Sequence, residues 1–369
     1  MTNKLCKTGI LLVAGSLALG SNADTMIVTQ KVDGVDWQLK IDTEAKTASV
    51  GPNNSSKTNG WATTDDYASY RAIAHEASIA QRAYDALLVP SSFDVGGENY
   101  TVTEIGYRAF IRGQMTSVLV PENVEHVWNS SFYACRKLQN ICFKGPPTAK
   151  KGRTQEYVSF TRENTAFQTV SNLQFAVVGP NVKAASTPNS FFYDAANAMV
   201  LLPRRSDNMT WDDYGGSKTI GNGNGNTVVF YGPGEDFDMT MGEKSVTIIP
   251  TTAATLAGAL TFAPTFKKSF GLDVYISITN AITGIESVPL LSGGVSSDTL
   301  SWVTFVVSNQ AQLNNTLAAV QSASTLSVDA SRAGENIVVP EGRSVAVAAT
   351  AAETYSPNRR ELVISLESK

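Results

Sequence analysis

The stretch TEIGYRAFIRGQMTSVLVPENV (103–124) decides the fold, because the next stretch, EHVWNSSFYACRKLQNICF (125–143), repeats its order of apolar residues. Phe110 in the first stretch corresponds to Phe132 in the second, a spacing of 22 residues. A period in the twenties is typical of stacked short strands, where each repeat buries its apolar face against the next one. We therefore expect Phe to stack on Phe in a shared core.

Further copies of the strand motif flank these two stretches. ALLVP (86–90) matches SVLVP (117–121), and VVGP (177–180) and MVLLP (199–203) end looser copies downstream. A proline at the end of each strand fits this pattern, because proline has no N–H to continue a strand ladder. The sequence therefore predicts a row of stacked strands over residues 86–214.

These motifs resemble the BspA-type leucine-rich repeats of bacterial surface proteins. IGYRAF (105–110), SVLVPENV (117–124) and SFYACRKLQNICFKG (131–145) carry the resemblance, which covers about residues 31–214. It implies a short leucine-rich-repeat solenoid and a cell-surface or secreted role in adhesion or in contact with a host or community. The resemblance names no ligand.

The N-terminus is typical of an export signal. Lys4 and Lys7 precede an apolar stretch at 10–19, and small residues follow up to Ala23. The apolar stretch is too short to span a membrane. We expect a signal peptide at 1–23, no integral membrane segment after its removal, and a protein that is secreted or held at the cell surface.

Residues 24–85 are expected to cap the first repeat with a hairpin and a helix. WQLKID (37–42) alternates apolar and polar side chains, as a half-buried strand does, and 47–50 is its predicted partner. Apolar residues that recur three and four positions apart predict an amphipathic helix over 65–85. A solenoid end requires such a cap.

A Gly/Asn-rich linker at 215–226 separates the repeats (86–214) from a predicted C-terminal domain at 227–369. In that domain, apolar and polar residues alternate in short segments that are separated by turn residues, and this pattern favours a β-sandwich-like fold. The predicted strands are 246–249, 260–266, 272–279, 302–307, 325–328, 337–339, 344–348 and 361–366. The predicted fold class is thus mainly β with some α: a short leucine-rich-repeat solenoid followed by a β-sandwich-like domain.

The composition argues against several kinds of chemistry. The net charge is -4 without a basic stripe, so we expect no nucleic-acid partner. His75 lacks the second histidine of a zinc-protease helix, because Ile79 stands four residues later. The chain has two histidines, neither in the setting of a Ser-His-Asp constellation. We expect a non-enzymatic protein with no cofactor and no metal.

Two chemical alternatives stay open at this point. The acidic pairs at 212–213 and 236–238 are candidate calcium ligands, although their spacing matches no known loop. A glycosidase with paired carboxylates also stays open, because such pairs carry no local signature.

The outward face of the repeat strands is unexpectedly apolar. If Ile141 and Phe143 point into the core, strand alternation turns Cys142 outward and away from the inward Cys135, which disfavours a disulfide. The same alternation defines the apolar column, whose members are Leu88, Leu119, Cys142 and Leu201. A water-facing strand face is normally polar. Either another part of this chain covers the column or it contacts another protein.

These patterns favour a recognition or adhesion protein that binds a protein or glycan at a cell surface through its repeats. The predicted partner-binding residues are Leu88, Ser117, Leu119, Asn140, Cys142, Lys144 and Leu201. The alternative is a carbohydrate-binding protein that uses the C-terminal β domain, with Trp302 and Tyr275 as the available aromatic side chains.

Overall fold

The structure is a computed structural model that describes residues 25–51, 86–124, 126–128, 130–145, 158–160, 167, 169–179, 182–183, 195, 197–203, 227–232, 234–278, 303–307, 311, 326–329 and 362–366. Within these residues the chain is mainly strand, with twenty strands and one long helix. The strands are β1 (Thr25–Val32), β2 (Val35–Asp42), β3 (Thr47–Val50), β4 (Ala86–Leu88), β5 (Ser92–Val95), β6 (Glu98–Ile105), β7 (Ser117–Val120), β8 (His126–Val127), β9 (Asn140–Phe143), β10 (Val158–Phe160), β11 (Phe175–Val178), β12 (Val182–Lys183), β13 (Met199–Pro203), β14 (Thr227–Tyr231), β15 (Phe237–Met241), β16 (Ser245–Pro250), β17 (Asp273–Ile278), β18 (Thr304–Val307), β19 (Leu326–Asp329) and β20 (Leu362–Leu366). The helix α1 (Ala253–Phe270) lies between β16 and β17.

The first sheet begins with the predicted hairpin. Its order is β1-β2-β3-β6-β8-β10-β12, and β5 pairs with β6. Strands β1 to β3 are antiparallel neighbours, and every neighbouring pair from β3 to β12 is parallel. The hairpin of β2 and β3 is therefore confirmed at the start of the sheet. The predicted signal peptide (1–23) and the predicted helix (65–85) lie outside the described residues.

The second sheet holds the repeated strands. Its order is β14-β13-β11-β9-β7-β4, and all its pairs are parallel. Val118 pairs with Ile141 in this sheet, just as Ile105 pairs with Val127 in the first sheet. The register predicted from the sequence repeat is therefore confirmed. From β6 to β13 the chain alternates between the two sheets, so successive repeats add one strand to each.

Aromatic stacking joins the repeats in the core between these two sheets. Phe132 lies between Phe110 and Phe167, with ring centroids 5.1 Å apart on both sides. All three side chains are buried together with Val118 and Ile141. The predicted stacking of Phe110 on Phe132 is confirmed, and Phe167 extends it by one repeat.

The backbone of the repeats has the same turns at equivalent positions. Arg108 and Ser130 both have a positive φ, as do Arg112 and Ala134, and each pair is 22 residues apart. A positive φ is uncommon outside glycine, because Cβ then approaches the following carbonyl. Its recurrence at the repeat spacing shows that the repeated sequence folds into a repeated turn.

The third sheet has the order β15-β16-β17-β18-β20-β19 and mixes parallel with antiparallel pairs. Five predicted strands are confirmed as β16 to β20, whereas 337–339 and 344–348 lie outside the described residues. In the described part of the chain these strands form one sheet, with α1 as the crossover between parallel β16 and β17. This arrangement differs from the two facing sheets of a sandwich. We call the third sheet and α1 together the C-terminal unit.

The predicted strand at 260–266 is wrong, because these residues lie inside α1. Thr252 caps the helix by accepting a hydrogen bond from the Thr255 N–H, and the Thr255 hydroxyl accepts one from the Thr252 N–H. Gly271 ends the helix in the left-handed region, with φ of 72°. Helix α1 is buried on two sides, so its apolar residues do not form the single stripe of the usual amphipathic period.

The boundary between repeats and C-terminal unit also differs from the sequence prediction. Strand β14, at the start of the predicted 227–369 domain, pairs in parallel with β13. It is therefore the last strand of the second sheet. Tyr231 ends β14, and its hydroxyl donates a 2.7 Å hydrogen bond to the Val178 carbonyl.

Candidate functional site

Helix α1 packs across the outward face of the second sheet. Phe175 of β11 contacts three phenylalanines of the helix, Phe262, Phe266 and Phe270, at centroid distances of 6.2, 5.6 and 6.5 Å. These rings belong to a buried cluster that joins the second sheet to the C-terminal unit. Another part of this chain therefore covers most of the face whose apolar character the sequence showed.

Successive side chains of β9 alternate between two buried cores, as Cys142 and its two neighbours show. Ile141 and Phe143 lie in the core between the first and second sheets, whereas Cys142 lies under the C-terminal unit, 3.9 Å from the Met241 Sδ. Burial raises the pKa of its thiol to about 12. Cys135 lies in the other core, so Cys135 and Cys142 are buried in separate clusters.

A cleft opens where the cover by α1 ends, at the β4 edge of the second sheet. Leu88 of β4 is 39% exposed, whereas Leu119 of β7 is half-buried and Leu201 of β13 is fully buried. The cleft has a volume of about 390 Å³. It is lined by Leu88, Val89, Ser91, Leu119, Pro121, Glu122, Lys144, Glu243, Lys244, Lys267, Phe270, Gly271, Leu272 and Asp273.

Lys144 is a buried cation at the inner wall of this cleft. Its side chain is 5% exposed, and its Nζ lies 3.5 Å from the Glu122 Oε2. The ammonium also donates to the backbone carbonyl of Glu243 in the C-terminal unit. Lysine is seldom buried without partners. Since an ammonium has three donors, these two contacts leave one donor that the contacts described here do not use.

Charged side chains of both signs surround the apolar residues of the cleft. Lys267 and Asp273 form an ion pair at 2.6 Å at the C-terminal end of α1. Glu243 and Lys244 are exposed in the turn between β15 and β16. Among the described residues, the side chains of Glu243 and Lys244 make no ion pair with each other or with a third group. Three lysines and three acidic residues line the cleft, so their formal charges cancel.

The structure separates the predicted partner-binding residues into three places. Leu88, Leu119 and Lys144 line the cleft, and Cys142 and Leu201 lie beneath the C-terminal unit. The remaining two are neighbours across β7 and β9, where the Asn140 Nδ2 donates to the Ser117 Oγ at 3.2 Å. Partner binding by these seven residues stays a prediction.

The sequence prediction missed the cleft residues that the C-terminal unit contributes. Lys267, Phe270 and Asp273 follow Leu119 by about 150 residues, and no local pattern links the two segments. A signal was nevertheless present: Thr252 and Gly271 are typical helix boundary residues. With those boundaries recognised, a helix rich in apolar residues would have been a candidate cover for the apolar column of the sheet.

The other candidate groups do not converge on a second site in the described residues. Tyr275 is 6% exposed and packs on Val306, and Trp302 lies outside the described residues. Where the chain is described, no three His, Cys, Asp or Glu side chains lie close enough together to hold a metal ion. Residues 212–213 lie outside that part. The described segments also contain no helix with the length and apolarity to cross a membrane.

Comparison with known proteins gives two matches among solved structures. A leucine-rich repeat protein from Bacteroides capillosus is 19% identical, with a TM-score of 0.31, and the match covers 47% of this chain and 97% of that one. A leucine rich cell surface protein from Faecalibacterium prausnitzii is 11% identical, with a TM-score of 0.27, and the match covers 68% of this chain and 70% of that one. No protein-family model and no curated protein matches the chain.

Proposed function

We propose that this chain is an exported, non-enzymatic recognition protein whose leucine-rich repeats form a short solenoid. It binds a partner protein at a cell surface. The observation that carries this proposal is the cleft at β4, where Leu88 remains 39% exposed beside an otherwise covered apolar face. An apolar centre with a polar rim is the usual anatomy of a protein–protein contact.

The repeats and the N-terminal sequence support the same proposal. Stacked rings such as Phe110 and Phe132 fix the second sheet in one arrangement, so its edge presents side chains at defined positions. A rigid face of this kind recognises partners by surface complementarity. The predicted export signal at 1–23 supports a location outside the cytoplasm, where such partners are found.

Binding of the labelled mature chain to intact bacterial and epithelial cells tests this function. We expect binding that is lost when the cells are treated with protease and that is weakened by Leu88→Asp. Ile27→Asp is the matched control, because Ile27 is 68% exposed on β1 of the first sheet. Loss of binding after glycosidase treatment alone would favour the carbohydrate-binding alternative. Absence of binding to every cell type would overturn the proposal.

A further inference from the structure

We infer that the cleft binds an extended peptide segment of the partner protein, with one large apolar side chain placed against Leu88 and Leu119. The inference rests on the proposed function and specifies the chemistry of the partner. Three features of the cleft carry it: the apolar floor, the strand edge and the arrangement of charges.

The floor of the cleft is suited to a single apolar anchor. Leu88 is exposed, Leu119 is half-buried, and the buried Phe270 and Leu272 line the space beside them. The volume of about 390 Å³ is near the lower end of the range for ligand sites. That space suits one inserted side chain of a short segment. Interface affinity commonly depends on such a buried anchor.

The strand edge favours an extended conformation for the segment. In the described part of the chain, β4 pairs with β7 on one side and is the last strand of the second sheet. An edge strand offers backbone N–H and C=O groups to an added strand. Leu88 lies on this strand and also lines the cleft, so backbone pairing and anchor insertion occur at the same place.

The charges favour a peptide over a polyanion or a lipid surface. The six charged residues of the cleft cancel, so no net field attracts a phosphate-rich or anionic surface. Lys144 keeps a donor for a peptide carbonyl, since it contacts Glu122 and Glu243 only once each. The exposed Glu243 and Lys244 pair best with flanking residues of opposite sign.

Synthetic peptides test the inference on the mature full-length chain. The probes are labelled nine-residue peptides with Leu, Phe, Ser or Asp at the centre and acidic or basic flanks. Fluorescence anisotropy should detect the Leu- and Phe-centred peptides and not the Ser- or Asp-centred ones. Leu88→Asp should weaken binding at least about tenfold, because it places a carboxylate beside the anchor. Ile27→Asp should leave the affinity unchanged.

A charge reversal separates a role in recognition from a role in folding. Lys244 is exposed, so Lys244→Glu should fold normally and shift the relative affinity towards basic-flanked peptides. Equal affinity of wild type and Leu88→Asp, with an unchanged flank preference in Lys244→Glu, would overturn the inference. If cells bind the chain and no peptide does, the inference fails and the proposed function stands. If neither cells nor peptides bind, both fail.

Discussion

Phe132 is the residue that most directly links the sequence repeat to the core. It is fully buried and has one phenylalanine on either side at 5.1 Å, Phe110 and Phe167. A buried aromatic side chain contributes both its area and its ring contacts. The order of three successive repeats therefore depends on this one side chain.

Phe132→Ala should destabilise the protein by about 3–5 kcal/mol, because it leaves a ring-sized cavity between two other rings. Phe110→Ala should cost a similar amount, and chemical denaturation measures both. Ile27→Ala serves as the control, because a residue that is 68% exposed should change stability by less than about 0.5 kcal/mol. Near-neutral results at both phenylalanines would contradict the stacked core.

Alkaline pH should weaken the contact between the second sheet and the C-terminal unit. Burial raises the pKa of the Cys142 thiol from its ordinary value of 9.0 to about 12, and burial also raises the pKa of the Tyr231 phenol well above 10.0. For each group, between its ordinary pKa and its raised pKa, the unfolded chain loses a proton that the folded chain keeps. Stability is therefore complete below pH 9 and falls as the pH rises towards 12.

Denaturation midpoints measured from pH 7 to pH 11 test this prediction. The wild-type free energy of unfolding derived from these midpoints should be constant up to about pH 9 and then fall, by at most about 1.4 kcal/mol per pH unit for each group. Cys142→Ala should remove the part of the loss that begins near pH 9. Tyr231→Phe should reduce the part that begins near pH 10. Identical pH profiles for wild type and both variants would show that these groups do not titrate as described.

At the scale of elements, the sequence predicted many of the described strands and predicted helix α1 incorrectly. Strand alternation is local, so residues such as Val118 and Ile141 showed their inward orientation without any knowledge of their partners. Helix α1 is buried on two sides, and its apolar residues at 260–266 matched a strand pattern by coincidence. The contact of Lys144 with Glu243 was not predictable, because it joins positions 99 residues apart.

Two glycines should respond in opposite ways to alanine. A Cβ at Gly179, directly after β11, would lie 1.7 Å from the Lys144 carbonyl oxygen, so the backbone must move. We expect Gly179→Ala to destabilise the protein by at least about 1–3 kcal/mol. Gly258, on the exposed side of α1, has nothing within 4 Å of its Cβ position.

Gly258→Ala should therefore stabilise the protein by about 1 kcal/mol, the difference in helix propensity between the two residues. Thermal unfolding of both variants beside wild type measures the contrast. A stable Gly179→Ala variant would be incompatible with the close approach of β11 to the end of β9.

At the scale of the whole molecule, the repeats and the C-terminal unit share one buried cluster. Leu201 of the second sheet and Phe266 of α1 are both fully buried in it. From the sequence, the apolar column was expected either to be covered by another part of this chain or to contact another protein. The packing shows internal cover for most of the column and leaves Leu88 at its exposed end.

Aspartate substitutions at the two ends of the column should therefore differ in effect. Leu201→Asp should cost about 3–5 kcal/mol, because it buries an unpaired carboxylate. Leu88→Asp should cost less than about 1 kcal/mol, because its side chain reaches water. Urea denaturation of both variants measures the difference. The reverse order would mean that α1 does not lie on this face.

Helix α1 also limits where this array could gain a repeat. Its C-terminal end lies at the β4 edge, where Phe270 and Leu88 line the same cleft. A strand added beyond β4 would therefore lie past the end of the helix, with its outward side chains in water. Growth at that edge would require a polar outward face on the new strand, or a longer helix to cover it.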